Sequence, residues 1–460
     1  MREQNPDSDN AAALLYGRLG VLALVVLICH LPPGWAQESK YIVEPLAQID
    51  ANAVPVTESN AIATPICNLA TYGIQEPKIA PPEARVDDFG AKGDGIADDG
   101  AAIRAAIASL RNGGTVVFTK GKTYRKTGTI VVDRPGVRLW GYGAILYAFI
   151  PDVSLLSKLG AAGLSITLQA PSTGVYGLTI VSNLRVRLTG HPNNAAVQVI
   201  DHGQEVIDTH AEYTLTGIFV RGGTQFVIAR NVVYRTTADG IHMTSGTLGG
   251  KVVCNAVRQN GDDMIAVVNY GDGEPNIGNV LIENNDVAGQ YSGRGISVVG
   301  GRDVTIRGNM IADTAGAGIL INSENAYKTA NVRNVLVEGN DIRSVHVKDP
   351  PYNPRSPVSR RSAQGAIDVN AQGTRQVSEV LIRDNTIVDA GTDGVYVRGG
   401  SCRIGIARNR MSQVGRTAIK IESSTSAECN VACEGNVLDG QPADARECAG
   451  PIHAVTGASP

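Results

Sequence analysis

An asparagine recurs at a nearly regular spacing through the second half of the chain. Successive members of the series are 24, 30, 24, 31, 45, 24 and 27 residues apart, so a unit of 24 residues with insertions accounts for every gap. The series is Asn231, Asn255, Asn285, Asn309, Asn340, Asn385, Asn409 and Asn436. A unit of this length cannot bury an apolar face alone, so the units must stack. The repeat therefore predicts a solenoid.

A second series, of apolar residues, keeps step with the asparagines. Its members follow their asparagine by ten residues, or by eleven in one unit: Ile241, Ile265, Ile296, Ile319, Val395 and Ile419. Alternating apolar pairs such as Val280 and Ile282 favour short strands with one face turned inward. The two series together predict an all-β chain folded as a right-handed parallel β-helix. In such a solenoid the asparagine amides stack as a ladder inside one turn.

A short segment before the repeat predicts a capping helix. Four apolar residues share one face of that helix: Ile103, Ala106, Ile107 and Leu110. Asp98 or Asp99 is placed to cap its N-terminus, and the run Asn112-Gly113-Gly114 is a stop signal. Because a solenoid needs a cover at each end, we expect this helix to close the front of the coil stack.

The remaining segments complete the predicted organisation. Residues 37–84 are rich in proline and alanine and are interpreted as an extended leader with no fold signal of its own. The β-helix is assigned to residues 85–422. Residues 423–460, which are rich in cysteine, are expected to cover the back end.

The first 36 residues are typical of an export signal. Arg2 and Arg18 precede the apolar run at 19–28, and Gly34-Trp35-Ala36 supplies the small residues of a cleavage site. The apolar run is shorter than the roughly 20 residues that span a bilayer. We therefore expect cleavage after Ala36 and a secreted or periplasmic protein, with an uncleaved membrane anchor as the alternative.

Six cysteines follow the predicted cleavage site. They are Cys67, Cys254, Cys402, Cys429, Cys433 and Cys448. An even number in an exported chain favours disulfides, although the sequence does not give their pairing. Metal binding is the alternative, but no histidine pattern accompanies the cysteines. We expect no metal and no cofactor.

The charge narrows the class of partner. The formal net charge of the 460 residues is −3, so no strongly basic face is implied and nucleic acid is not an expected partner. Once the signal is removed, no membrane contact is expected either, and we expect a monomer.

The segment VDDFGAKGDG at 86–95, followed by Asp98-Asp99, resembles the opening of the pectate-lyase-like β-helix superfamily. The same opening is similar to that of the polygalacturonases and rhamnogalacturonases of glycoside hydrolase family 28. The resemblance continues through the capping helix, through GGTVV at 113–117 and through LWGYG at 139–143, and with the repeat it covers roughly residues 86–436. It is specific for the fold and weak for the activity, because many unlike proteins share this fold.

Family 28 hydrolases take catalytic aspartates from an Asn-Thr-Asp-Gly coil and a later Gly-Asp-Asp coil. This chain has Thr-Ala-Asp-Gly at 237–240 and Gly-Asp-Asp at 261–263, so the resemblance implies that Asp239, Asp262 and Asp263 are catalytic. Carboxylates this close cannot all stay ionised, which raises at least one pKa. An acid beside a base is the pair that cleaves a glycosidic bond. Aspartates that merely bind turn N–H groups are the alternative.

Two further motifs depart from the family. Where the family has Gly-His-Gly this chain has Gly293-Arg294-Gly295, and where it has Arg-Ile-Lys this chain has an apolar run at 319–321. Either the substrate or the chemistry therefore differs. Arg294 either forms an ion pair with an aspartate or binds a sugar carboxylate or sulfate. His242 is a candidate acid or base.

Insertions indicate where a substrate lies. The insertions at 270–279 and 322–334 leave the coils on the same arc, whereas the one at 346–363 leaves on another. Loops beside the aspartate-bearing coils make a groove suited to a chain-like ligand. The candidate substrate-binding residues are Tyr270, Glu274, Lys328 and Arg302.

These observations predict an exported enzyme that cleaves a polysaccharide, and acidic polysaccharides are among the candidates. A glycoside hydrolase is the leading hypothesis. A lyase or epimerase that acts on uronates is the first alternative, and a glycan-binding β-helix without catalytic activity is the second.

Overall fold

The computed structural model describes residues 57–151, 166–185, 195–271, 276–290, 292–346, 363–423 and 429–458. Most elements in these residues are short β-strands, which the chain lays down in three sheets that it visits in turn. Neighbouring strands of one sheet come from successive coils and run parallel, apart from the terminal pair β37 (Val437–Leu438) and β38 (Gln441–Pro442). The predicted all-β parallel β-helix is confirmed.

Successive strands of the chain belong to sheets A, B and C in a repeating order. Sheet A contains β1 Glu83–Arg85, β3 Gly114–Val117, β6 Val137–Trp140, β9 Gly174–Tyr176, β12 Glu205–Ile207, β15 Thr224–Ala229, β18 Leu248–Val253, β21 Gly278–Glu283, β24 Arg302–Arg307, β27 Val332–Glu338, β30 Val377–Arg383, β33 Ser401–Ala407 and β36 Val431–Glu434. Sheet B contains β2 Asp94–Asp98, β4 Thr123–Lys126, β7 Ile145–Ala148, β10 Thr179–Ser182, β13 His210–Glu212, β16 Val232–Tyr234, β19 Ala256–Arg258, β22 Asp286–Ala288, β25 Met310–Thr314, β28 Asp341–Val345, β31 Thr386–Ala390, β34 Arg410–Val414, β37 and β38. Sheet C contains β5 Ile130–Val132, β8 Ile166–Leu168, β11 Ala195–Val199, β14 Thr216–Arg221, β17 Ile241–Thr244, β20 Ile265–Val268, β23 Ile296–Val299, β26 Ile319–Ser323, β29 Ile367–Ala371, β32 Val395–Gly399 and β35 Ile419–Ser423.

The turn between sheets A and B holds the repeated asparagines, and we call it the ladder turn. Oδ1 of Asn255 accepts hydrogen bonds from the backbone N–H and from Nδ2 of Asn231, at 3.0 and 2.9 Å. Nδ2 of Asn231 also donates to the carbonyl of Val206, at 2.8 Å. The same bonds recur between each successive pair up to Asn436, whose Nδ2 donates to Asp444. The predicted ladder is therefore confirmed, and its amides are buried.

The apolar column predicted inside the coils also holds its register. Each member pairs with the next along sheet C, and Ile367 fills the one place that the spacing did not reveal. These side chains are at most 3% exposed. Full burial of an isoleucine or valine side chain contributes roughly 1.5–3 kcal/mol, so the column is a main source of stability.

Helix α1 (Gly100–Ser109) covers the front end, and the four apolar residues predicted for its inner face are buried. The two aspartates that precede the helix accept hydrogen bonds from different parts of the chain. Oδ1 of Asp98 accepts from the N–H of Gly100 at 2.9 Å. Asp99 instead accepts from the N–H groups of Lys92 and Gly93, at 2.6 and 3.1 Å. The side chain of the N-cap residue, Asp99, therefore does not cap the helix, and Asp98, one residue earlier, binds the first helical N–H instead.

Residues 57–82 lie across the outside of the coils, and we call this segment the strap. Among the coil residues that anchor it, three immediately precede a ladder asparagine. The contacts are the Cys67–Cys254 disulfide, the Tyr72–Asn284 hydrogen bond and the Glu76–Arg230 ion pair. Residues 37–84 are predicted to be an extended leader with no fold signal of its own, and the described strap within them is held against the coils by these contacts. Its partners lie in distant coils, so its own sequence carried no local signal.

The back of the solenoid extends further than predicted. Strands β36 and β37 continue sheets A and B beyond residue 422, because Asn436 still occupies the ladder. The Cys402–Cys429 and Cys433–Cys448 disulfides hold this end together, so the six cysteines form three disulfides as expected.

The predicted signal at 1–36 lies outside the described residues. Within the described ranges, no helix is both long enough and apolar enough to cross a bilayer.

Candidate active site

The aspartates predicted to be catalytic meet at the turn between sheets B and C, which we call the site turn. Asp239 leads into β17, and Asp262 and Asp263 lead into β20, its neighbour in sheet C. One oxygen from each of the three carboxyl groups lies within 4.8 Å of the others. The structure thus brings the three groups together as the repeat predicts, and their catalytic role stays a prediction.

Asp263 is the most deeply enclosed of the three, with 7% of its side chain exposed. Its Oδ1 accepts from the backbone N–H of Arg294 at 2.8 Å and lies 3.3 Å from that residue's Nε, while the hydroxyl of Ser297 donates to Oδ2 at 2.6 Å. Burial raises the pKa of Asp263 to about 7. The charge of Arg294 opposes this shift, whereas those of Asp262 and Asp239 add to it.

His242 is paired with Asp239. Its Nδ1 lies 2.9 Å from Oδ2 of that carboxylate, and its ring stacks on Phe219 with 5.3 Å between the ring centroids. Burial disfavours the imidazolium, but the charge and hydrogen bond of Asp239, together with the charges of Asp263 and Asp262, outweigh burial and raise the pKa of His242 above its ordinary value. The two side chains form an acid–base pair beside Asp263.

Arg294 lies between two carboxylates. Its Nε is near Asp263, and one terminal nitrogen lies 3.7 Å from Oε1 of Glu324. Nδ2 of Asn322 donates to the same Glu324 oxygen at 3.0 Å. Of the two roles considered for Arg294, the ion pair is therefore present in the structure, and binding of a sugar carboxylate or sulfate stays a prediction.

The predicted substrate-binding residues divide into two groups. Tyr270 forms an antiparallel bridge with Thr329, and the N–H of Gly271 donates to the carbonyl of Lys328 at 2.8 Å, so the loops that carry Tyr270 and Lys328 lie together. Arg302 lies on β24 of sheet A, where it pairs with Asp303. Glu274 and most of the 346–363 insertion lie outside the described residues.

Two residues of the site were missed by the sequence reasoning. Ser297 follows the column residue Ile296 by one position, in the outward row that also contains His242, and that row was the available signal. Glu324 belongs to a loop whose path has no repeat to reveal it. Its loop closes on itself through the N–H of Glu324, which donates to the hydroxyl of Thr329 at 2.7 Å.

The three clustered carboxylates are also a set of ligands that suits a hard divalent cation. An ion at this place would have to replace bonds that are already made. Asp239 is bound to His242, and both oxygens of Asp263 accept hydrogen bonds from the chain. The present arrangement fits proton transfer more directly than cation binding.

Comparison with known proteins agrees with this architecture. Residues 195–349 match the family described as "Right handed beta helix region", and residues 84–148 match "Rhamnogalacturonase A/epimerase, pectate lyase-like". No curated protein matches the chain by sequence.

Several solved structures share the fold at low sequence identity. The catalytic unit of a GH87 alpha-1,3-glucanase from Streptomyces thermodiastaticus is 20% identical with a TM-score of 0.57, over 79% of this chain and 71% of that one. The catalytic domain of a GH87 alpha-1,3-glucanase in complex with nigerose is 14% identical with a TM-score of 0.56, over 82% and 69%. An exopolygalacturonase from Thermotoga maritima is 12% identical with a TM-score of 0.47, over 80% and 94%. The chain has the right-handed parallel β-helix fold of the pectate-lyase-like superfamily.

Proposed function

We propose that this protein is a polysaccharide-cleaving enzyme, a glycoside hydrolase whose acid and base come from Asp239, Asp262 and Asp263. The observation that carries the proposal is the meeting of three carboxyl groups from adjacent coils within 4.8 Å, with burial raising the pKa of Asp263 to about 7. Such a cluster retains a proton near neutral pH next to ionised carboxylates. That combination is what glycosidic cleavage requires.

The different exposure of the three carboxyl groups suggests which of them acts as the acid and which as the base. Asp262 is more exposed than Asp263, which is held by Arg294 and Ser297. The proton of Asp263 reaches the leaving oxygen of the sugar by way of the neighbouring, more exposed carboxylate of Asp262. Asp239, oriented by His242, then activates the water that attacks the anomeric carbon.

The test is a screen for depolymerisation. Wild type and Asp262→Asn are incubated with neutral and acidic polysaccharides, and chain length is followed by size exclusion and by the appearance of reducing ends. We expect wild type to shorten at least one polymer and Asp262→Asn to lose about 10²–10⁴ in rate. Asp384→Asn is the matched control, because Asp384 pairs with Arg408 on the opposite side of the coil.

Failure of wild type to shorten any polymer, or full activity of Asp262→Asn, contradicts the proposal. Binding without shortening supports the glycan-binding alternative instead.

A second candidate, elimination or epimerisation of uronates, is favoured by the His242–Asp239 pair, because a paired histidine can abstract a proton α to a carboxylate. Ultraviolet absorbance, read alongside chain length in the same incubations, separates hydrolysis from elimination, while epimerisation changes neither reading. Hydrolysis leaves a saturated non-reducing end, whereas elimination leaves a conjugated double bond that absorbs in the ultraviolet.

We also propose that the protein works outside the cytoplasm, as a secreted or periplasmic enzyme. The three disulfides among the described residues support this, because such bonds persist in oxidising compartments.

A further inference from the structure

A cavity of about 400 Å³ lies between the strap and the outer face of sheet A, and we call it the strap cavity. Residues 73–78 of the strap line one side of it. The side chains that sheet A contributes include Arg138, Tyr176, Glu205, Gln225 and Lys251. Small-molecule sites in proteins begin at about 300 Å³, so this cavity has the volume of a ligand site. It is separate from the clustered aspartates, which lie at the turn between sheets B and C.

Three charged residues follow one another at regular intervals across the floor of the strap cavity. Backbone pairing runs from Arg138 through Gly174 to Glu205, and from Glu205 through Val227 to Lys251. Because neighbouring strands lie about 4.8 Å apart, each charged residue is roughly 10 Å from the next. The residues between them are glycine and valine, whose small side chains leave room beside the long ones. The cavity therefore presents a cation, an anion and a second cation in a row.

The cations of the strap cavity are bound to strap carbonyls rather than to carboxylates. Lys251 donates to the carbonyl of Tyr72 and Arg138 donates to the carbonyl of Lys78, at 2.5 and 3.3 Å. Within the described ranges, none of Lys78, Arg138 and Lys251 forms an ion pair. An ammonium has three N–H donors and a guanidinium has five, so each of these groups retains donors for a ligand.

The two carboxylates that line the strap cavity differ in their partners. Glu76 forms a bidentate pair with Arg230, which Asp208 also contacts. Glu205 accepts from the hydroxyl of Tyr176 through Oε2, at 2.7 Å, whereas its Oε1 has no hydrogen bond among the described residues. Glu205 therefore places a vacant acceptor between two groups of donors. Donors suit a carboxylate and an acceptor suits hydroxyls, so the pair suits a ligand that carries both.

We infer that the strap cavity binds a sugar acid, with the sugar carboxylate on the guanidinium of Arg138 and a sugar hydroxyl donating to Glu205. Arg138 is assigned the carboxylate because a guanidinium binds it through two parallel hydrogen bonds, and Lys251 is already held by the strap. The negative charge of Glu205 disfavours an anion without hydroxyls. This site is additional to the clustered aspartates and does not depend on the proposed function.

The test is isothermal titration calorimetry of the full chain. The ligands are glucuronate and galacturonate, their neutral counterparts glucose and galactose, and acetate, which has the carboxylate without the hydroxyls. We expect at least one sugar acid to bind more tightly than its neutral counterpart and than acetate. No binding of either sugar acid, or equally tight binding of the neutral sugars or of acetate, overturns the inference.

Two variants test the residues named. Arg138→Gln should weaken binding of the sugar acid by about tenfold or more, because its carboxylate loses a charged, bidentate partner. Glu205→Ala should lower the preference for the sugar acid over acetate by about tenfold, because the acceptor for the hydroxyl and the charge that repels acetate are both lost. Unchanged binding in Arg138→Gln, or an unchanged preference in Glu205→Ala, contradicts the inference.

Two further variants locate the binding. Arg410→Gln alters an exposed arginine on sheet B, away from the strap cavity, and should bind as wild type does. Asp263→Asn should also retain the binding. Loss of binding in Asp263→Asn together with its retention in Arg138→Gln would place the ligand at the site turn and overturn the inference. Failure of wild type to shorten any polysaccharide contradicts the hydrolase and leaves this inference standing.

Discussion

The ladder turn and the site turn are two corners of the same coils, yet stacking has opposite consequences in them. An asparagine amide both donates and accepts, so identical asparagines can satisfy one another from coil to coil. An ionised carboxylate only accepts, and stacked carboxylates repel. The first column therefore repeats a single residue, while the second passes from Asp239 and Asp263 to Arg294. The stacked asparagines hydrogen-bond to one another and so stabilise the fold. Stacked carboxylates cannot do this, and their mutual repulsion leaves groups suited to proton transfer.

The strap strengthens this contrast from outside the coils. Three of its anchors attach to residues that precede ladder asparagines, and one of these residues, Cys254, has a positive φ of 58°. The ladder turn is thus stabilised by the asparagine hydrogen bonds inside the coils and by the strap contacts on their outer surface. The described strap contacts do not involve the three clustered aspartates.

The largest expected effect is on the rate of cleavage, and it should differ between two aspartates that occupy equivalent positions before sheet C. Asp263→Asn should lower the rate of cleavage by about 10²–10⁴, because the variant carries no proton that can be transferred. Asp393→Asn should leave the rate unchanged. Asp393 occupies the equivalent position before β32, where its Oδ1 accepts from the N–H of Thr417 at 3.1 Å. Equal losses in the two variants would show that the column position, and not the cluster, is what matters.

The next effect is on stability and concerns the ladder. Asn309→Ala removes an acceptor for two donors of Asn285, and buried groups left unpaired cost about 1–3 kcal/mol each. We expect a clear fall in the denaturant midpoint, followed by circular dichroism, with the rate of cleavage retained by the folded fraction. Met310→Ala, a change at an exposed neighbour, is the control. An unchanged midpoint would mean that the ladder is dispensable.

A smaller effect is expected from releasing the strap. Replacing Cys67 and Cys254 by serine opens a link between residues 187 apart in sequence and should lower the free energy of unfolding by about 2 kcal/mol. Limited proteolysis should then cut within the strap sooner than in wild type, while the rate of cleavage stays the same. Loss of activity in this variant would show that the ladder side supports the site.

A further effect is a pH dependence of stability, spread over several pH units. Burial raises the pKa of Asp263 to about 7, above roughly 3.9 in an unfolded chain, so its favourable contribution is complete below about pH 4 and is lost as pH rises towards 7. Asp263→Asn lacks this decline, which amounts to at most about 1.4 kcal/mol for each pH unit. Chemical denaturation at several pH values measures the difference. Parallel curves for wild type and variant would contradict the raised pKa.

The sequence predicted the repeated columns of the solenoid better than the partners of individual side chains. The ladder and the isoleucine column were predictable because stacking forces one residue type to recur at one register. The neighbourhood of Asp239 and Asp263 was predictable because both precede that column by two residues. Ser297 and Glu324 were not, since a partner for a buried charge is drawn from whichever strand or loop lies nearby. The strap was hidden for a related reason, because Cys67 meets Cys254 only after the coils have formed.

The most direct test of the account measures stability and rate together in Asn309→Ala and Asp263→Asn. The account predicts a crossed result: Asn309→Ala loses stability and keeps its rate when folded, whereas Asp263→Asn loses its rate and is no less stable than wild type above pH 7. If Asp263→Asn loses stability as much as rate, or if folded Asn309→Ala loses its rate, the separation between a structural column and a chemical column is wrong.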